Sequence, residues 1–455
     1  MSAQTKSYTM DLCEGSILKK LLLFALPLMA SSVLQLFFNA ADVIIVGRYA
    51  GDNSLAAVGS NGSIITLLTN VFIGMSVGAN VLVARYFAAK QDEKVRKTVH
   101  TSITISVIGG IIIAGIGFMA AKQLLIWMQS PPEVINLATL YLKIYFLGMP
   151  SVMLYNFGAA ILRGVGDTKR PLYYLTFSGV INVVLNFIFV VFFHMDVAGV
   201  ALATIISQTV SAILVLKCLM KEESAIRVQL KYLGVDKEIF LRILQIGLPA
   251  GIQGSLFSLS NVVIQSSVNS FGAIVVAGNS AAQNIEGFVY MAMNAFAQAI
   301  VAFISQNYGA GKYERINKIV VTTLLCVLTV GLVMGNGAYL LGKPLVSLYT
   351  DNAQVLQAGM KRLSIIASSY ALCGLMDCMV GALRGLGYSV MPMIVSLLGA
   401  CAFRIAWISV FFQIERFHTI DTVYFAYPIS WALTMTVHVI CFLVVRRKFK
   451  KSWGV

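Results

Sequence analysis

Twelve long apolar runs decide what this chain can fold into. They cover residues 21–46, 55–82, 98–121, 137–162, 172–193, 198–219, 240–269, 278–304, 319–341, 363–383, 390–412 and 422–445. A helix needs about 20 apolar residues to cross the hydrocarbon core of a bilayer. Inside that core every backbone N–H and C=O must be satisfied by protein, so only helices and closed barrels can span it. Barrel strands alternate apolar and polar residues, whereas these runs are continuous. The expected fold is therefore all-α, a polytopic membrane protein of twelve transmembrane helices. Charged residues make up 12% of the chain, against roughly 25% in soluble domains. That leaves too little polar surface for a water-facing globule, so the lipid bilayer is the expected partner of most of the surface.

The formal net charge of +15 would suggest nucleic acid in a soluble protein. Here 26 of the 34 Lys and Arg residues sit before the first run, in or beside the even-numbered loops and in the tail, while seven sit toward the other side and one, Arg404, falls well inside a run. The majority read as cytoplasmic anchors under the positive-inside rule. Both termini are then expected in the cytoplasm, the chain in the cell (plasma or inner) membrane, and no nucleic acid as partner. The seven cysteines share no metal-ligand spacing and read as small buried hydrophobes. The first apolar run is longer than the core of a cleaved signal peptide, so it is expected in the mature protein.

The chain repeats itself at an offset of about 221 residues. Leu26-Pro27 matches Leu248-Pro249, and Asn39 matches Asn261. Leu162-Arg163-Gly164-Val165-Gly166 with Pro171 matches Leu383-Arg384-Gly385-Leu386-Gly387 with Pro392. Matched Arg, Gly and Pro at fixed spacing are harder to obtain by chance than matched apolar residues. Each half holds six spans, an even number, so both halves start on the same side of the membrane. The expected architecture is two six-helix lobes related by a pseudo-two-fold axis along the membrane normal. Residues 1–219 form the first lobe, 220–239 a basic cytoplasmic linker and 240–455 the second. Two such lobes suit alternating access, as in a transporter.

Charges deep in lipid are costly and usually functional. Three acids fall within spans, Asp42, Glu286 and Asp377, and Arg404 is the one basic residue well inside a span. Asp42 follows Pro27, whose missing N–H lets the first helix bend. Asn182 and Asn186 are one turn apart on a single face, and Thr204 in the next span adds a hydroxyl. With Asp42 they offer hard oxygen ligands for sodium, or a hydrogen-bonding nest for a protonated carboxyl. Two other readings stand beside this one: Asp42 as a helix-end contact near Arg48, and the asparagines as interhelical glue. In the second half Glu286, Asp377 and Arg404 form a candidate charge cluster, in which at least one acid neutralises Arg404. The other acid is then free for a proton or a cationic substrate, or both acids are structural. Tyr155, Phe157, Tyr290, Met291, Met293 and Phe296 bring aromatic and soft side chains toward the expected cavity. No paired catalytic constellation, P-loop or zinc signature appears, so no enzyme and no cofactor is expected beyond a coupling ion, H⁺ or Na⁺. Helical glycines read as close-packing positions.

The stretch Leu162-Arg163-Gly164-Val165-Gly166-Asp167-Thr168-Lys169 through Pro171 resembles the LRGxGDTKxP loop of MATE (multidrug and toxic compound extrusion) transporters. Asn39-Ala40-Ala41-Asp42 through Val46-Gly47, with Leu55-Ala56-Ala57-Val58, is similar to the family's first helix and the segment after it. Asn182-Val183-Val184-Leu185-Asn186 resembles its NxxLD element, and Ala201-Leu202-Ala203-Thr204 its AxAT element. The similarity runs over nearly the whole chain. It implies cation-driven efflux of amphipathic, often cationic small molecules by a monomer of two six-helix bundles, with Asp42, Asn182 and Thr204 in the N-lobe site and Pro27 as the bend. Asn186 departs from the pattern, since many prokaryotic relatives carry aspartate there. Span seven lacks the acid of the NorM-type branch and offers only Gln253 and Gln265, so the DinF-like branch is the closer fit. A flippase for lipid-linked sugars, from the same wider superfamily, is the alternative; its cavity would carry several basic residues.

Overall fold

The computed structural model describes residues 8–128 and 130–453. It is helical throughout, with α1 (Ile17–Tyr49), α2 (Asp52–Ala88), α3 (Asp92–Trp127), α4 (Ile135–Leu147), α5 (Met149–Gly164), α6 (Lys169–Phe187), α7 (Asp196–Lys221) and α8 (Lys237–Asn269). There follow α9 (Ala273–Gly309), α10 (Tyr313–Leu340), α11 (Gly342–Ser347), α12 (Ala353–Arg362), α13 (Ala371–Gly385), α14 (Val390–Ser396), α15 (Phe403–Val410) and α16 (Ile420–Trp453). Among the described residues ten helices are long and apolar enough to cross a membrane, and two bent pairs bring the spans to twelve. The twelve expected runs are these spans. The termini themselves lie outside the described residues.

Two spans are broken, which their apolar runs concealed. Helices α4 and α5 meet at 48° around Gly148, where Pro150 in the first turn of α5 lacks the N–H that would continue α4. Helices α12 and α13 meet at 43°. Between them lies a wide turn, Leu363–Ala367. There the hydroxyls of Ser368 and Ser369 donate to the carbonyls of Ser364 and Ile365 at 2.5 and 2.6 Å. Such bonds re-satisfy carbonyls that the break would leave bare. The first arm of this span starts at Ala353, ten residues before the apolar run.

The repeat is present in the backbone. Helices α2 and α9 each run 37 residues. Each follows a glycine in the left-handed region, Gly51 at φ 88° and Gly272 at φ 91°. The matched loops turn on Gly166 and Gly387, at φ 91° and 94°, a conformation that favours glycine. A Cβ on Gly166 would also lie 2.2 Å from the carbonyl oxygen of Met10. In the same loop the fully buried Asp167 accepts the backbone N–H groups of Lys169 and Arg170, both at 3.1 Å. Arg170 pairs with Asp167 and Glu222.

Packing divides the chain into two compact units. One contains residues up to Asp11 and Ala30–Gly251; the other contains Leu12–Met29 and the chain from Ile252 onward. These borders fall inside α1 and α8, just after Pro27 and Pro249, and not in the loop 220–239. The loop is no free linker. His100 Nε2 accepts Gln229 N–H at 3.1 Å, Thr101 Oγ1 accepts Asp236 N–H at 3.0 Å, and Ile226 and Val228 are buried. This pins the loop to α3. The first arm of α8 is held against α2 by a glycine seam. A Cβ on Gly74 would lie 2.1 Å from Gly251 N, one on Gly78 2.4 Å from Ile243 O, and one on Gly247 2.5 Å from Met75 Cα. Gly74 and Gly78 face Gly247 and Gly251 one turn apart on each helix, the small-xxx-small crossing of membrane helices.

Candidate functional site

In the first unit, α1 meets α6 where Gly179 has no side chain. A Cβ there would overlap the Phe38 ring at 1.8 Å. Phe38 and Asp42 lie one turn apart on α1, and Gly179, Asn182 and Asn186 share a face of α6. The close approach therefore carries Asp42 to Asn186, whose Nδ2–H donates to Asp42 Oδ1. Asp42 opens onto a cavity of about 340 Å³ whose walls also include Thr69, Asn70, Tyr145, Asn182, Thr204 and Gln208. Asn186 is fully buried behind it. The sequence-predicted residues Asp42, Asn182, Asn186 and Thr204 are thus brought together; Tyr145 and Thr69 were not foreseen. The Thr204 hydroxyl donates to Val200 O at 3.0 Å in its own helix, which leaves its oxygen lone pairs for the cavity.

Asn186 turns its amide nitrogen toward the carboxylate, and its Oδ1 is sealed from solvent with no partner among the described residues. An amide can serve either state of an acid: its N–H₂ bonds the carboxylate, and turned over, its oxygen accepts from the protonated carboxyl. Sodium would instead need that oxygen as a ligand.

The second unit corrects the expected charge cluster. Glu286 on α9 does not neutralise Arg404. Both its oxygens are held by Arg362, from Nε at 3.1 and 3.3 Å and from Nη2 at 2.8 Å. Arg362 also donates to Asn279 Oδ1 at 2.7 Å, and Asn279 Nδ2–H donates to Gln265 Oε1 at 3.0 Å. Arg404 is therefore not the one basic residue deep in a span. Arg362 escaped notice because it precedes the apolar run by one residue, while α12 starts farther out and carries it inside. Arg404 donates from Nε to Ser430 Oγ at 2.8 Å and lies 4.4 Å over the Tyr427 ring. Asp377 lies near Tyr290, Arg384 and Arg404, with no ion pair to either arginine among the described residues. Gln253 accepts Arg384 Nη2–H at 2.8 Å. Phe157, Met293 and Phe296 are sealed core residues, while Tyr155 does line the cavity of the first unit.

The family model described as MatE matches residues 27–188 and again 249–408, once in each half. The chain is 27% identical over 443 residues to the probable multidrug resistance protein YoeA of Bacillus subtilis, covering 95% of each. It is 22% identical over 374 residues to the multidrug export protein MepA of Staphylococcus aureus, covering 82% of this chain and 83% of that one. It shares its fold with a multidrug resistance MATE family transporter solved in an outward-facing conformation, at TM-score 0.90, 22% identity and coverage of 97% and 98%. Solved MATE structures in a bent and a straight conformation match at TM-scores of 0.90 and 0.91, with 21% and 22% identity. The bent form is covered at 98% of each chain, the straight form at 98% of this chain and 99% of that one.

Proposed function

The chain belongs to the MatE family, and from that membership we propose that it is a secondary exporter of amphipathic, cationic organic compounds, driven by protons entering through Asp42. The observation that carries this reading is the lone carboxyl of Asp42, hydrogen-bonded to the Asn186 amide at the edge of a polar cavity. The ionised carboxylate attracts a cationic substrate; a proton neutralises it and releases that substrate. Exchange of the two at one group is antiport, because a single carboxylate cannot hold both. Asn186 follows the change by turning its amide. Sodium is disfavoured, since its binding would have to rest on one carboxylate and oxygens that the amide does not present.

Pro27 would give α1 its bending point, since Leu23 O has no N–H at Pro27 to accept. Relatives solved in bent and straight conformations are in keeping with such movement. In this reading the protein works as a monomer in the cell membrane with both termini in the cytoplasm.

The test is efflux of a cationic dye from proteoliposomes under an imposed pH gradient or sodium gradient at fixed voltage. Export that follows pH and ignores sodium is expected. Export that follows sodium and ignores pH would overturn the proton assignment.

A further inference from the structure

The charges that gather within the second unit do not balance. Three guanidiniums, Arg362, Arg384 and Arg404, share the region around α13 and α16 with two carboxylates, Glu286 and Asp377. Glu286 is fully engaged by Arg362. Asp377 is the acid nearest the other two, and it forms no ion pair with Arg384 or Arg404 among the described residues. Farther out, Lys361 and Asp421 form a pair of their own at 2.9 Å. One positive charge is left over, and Arg404 is the guanidinium of the three whose terminal nitrogens both lack an acceptor among the described residues.

Its environment is built rather than accidental. Arg404 is 3% exposed, its Nε is fixed by Ser430, and its plane lies 4.4 Å over Tyr427 and 5.6 Å from the Trp431 ring. Its two terminal nitrogens donate to nothing among the described residues. Neither is sealed, however, in contrast to the Nε of Arg384. Cation–π contacts offset only part of what burying an ion costs. The rings and one hydroxyl therefore leave a deficit, which an oxyanion would remove by accepting from both terminal N–H groups. Arginine presents that planar fork and matches carboxylate and phosphate geometry.

We propose that Arg404, walled by Tyr427 and Trp431, is the receptor for the anionic head of an amphipathic organic acid. The cargo of the chain then includes amphipathic acids and zwitterions beside cations. As a statement about cargo the inference rests on the export reading; as a statement about binding it does not. The aromatic faces take the apolar body of the molecule, and Ser430 keeps the guanidinium turned so that its terminal N–H groups stay free.

The test uses the full-length protein in phosphatidylcholine nanodiscs, with dansyl-undecanoate and its methyl ester as fluorescent probes. The acid should bind at least about tenfold tighter than the ester, the ratio that one charge-assisted pair supports. Arg404→Gln should erase that difference, and Arg404→Lys should keep part of it. Equal affinities in the unaltered protein, or a preference that survives Arg404→Gln, overturns the proposal. If Arg404→Gln does not fold, the acid–ester ratio of the unaltered protein decides alone. Phosphatidylglycerol added to the disc separates lipid from solute. Displacement of the acid by that lipid at equal concentration would assign the site to a headgroup and overturn the cargo assignment. Dye export measured on the same preparation keeps the two readings apart. Export without an acid preference removes this inference alone, and an acid preference without export removes the transport reading alone.

Discussion

Replacing Glu286 by Gln removes one charge and almost no volume from the best-paired site in the second unit. The side chains of Arg362 and Glu286 are 5% and 3% exposed, and the carboxylate receives three of the guanidinium's bonds. Breaking a buried pair at one partner costs about 3–5 kcal/mol, because the surviving ion has lost its counter-charge. The Gln amide keeps one oxygen for Arg362, a bond worth about 1 kcal/mol net, so the low end, about 3 kcal/mol, is expected. That is roughly a hundredfold in the unfolding constant. Thermal unfolding in detergent, followed by tryptophan fluorescence, should shift down by several degrees. The second arm is the double replacement of Glu286 by Leu and Arg362 by Met. A buried pair exchanged for apolar residues of similar volume is often neutral or stabilising. Here Asn279 loses its 2.7 Å donor, which offsets part of the recovery by about 1–3 kcal/mol. The double variant should still melt above Glu286→Gln. An unchanged melting temperature for Glu286→Gln, or a double variant less stable than the single one, would refute the reasoning.

Three further outcomes can be checked in the same preparations. Asp42→Asn should abolish pH-driven dye efflux while insertion and yield stay normal; efflux at the unaltered rate would remove Asp42 from the coupling step. Asn186→Asp restores the paired acid of many relatives and should make efflux respond to sodium; a variant still indifferent to sodium would show that the second carboxylate is not what the ion lacks. Gly74→Val places side-chain atoms where the backbone of Gly251 already stands. Overpacking of this kind typically costs 1–3 kcal/mol or more, so the seam should part and melting should fall well below that of Gly59→Val, a position with open space around it. Equal melting of the two variants would count against the seam.

The spans were readable because lipid imposes one requirement, continuous apolar length, and the chain meets it twelve times. The first-unit site was readable for the opposite reason. Asp42, Asn182, Asn186 and Thr204 are polar residues where lipid penalises them, and helical spacing places the asparagines on one face. Arg362 was not readable, because hydropathy marks where a run becomes apolar, and α12 begins ten residues earlier. The breaks at Gly148 and Ser368 were also silent, since neither interrupts an apolar run. The borders of the two compact units depend on long-range contacts, such as His100 with Gln229 and Gly74 with Gly251, which leave no local pattern. Pairing Arg404 with an acid followed from counting charges before their partners were known.

The glycine seam between α2 and the first arm of α8 has a consequence for the medium in which the protein is studied. Two helices that touch backbone to backbone gain nothing from excluding water, because the lipid chains they displace are as apolar as they are. What holds them is fit at van der Waals range, and each lost tenth of an ångström weakens it. A bilayer whose thickness forces a different tilt acts on that fit directly, at fractions of a kcal/mol per ångström of mismatch. Turnover should therefore vary with acyl-chain length even when every polar residue of the transport path is unchanged, and thin bilayers should change the behaviour of this crossing before they unfold either helix.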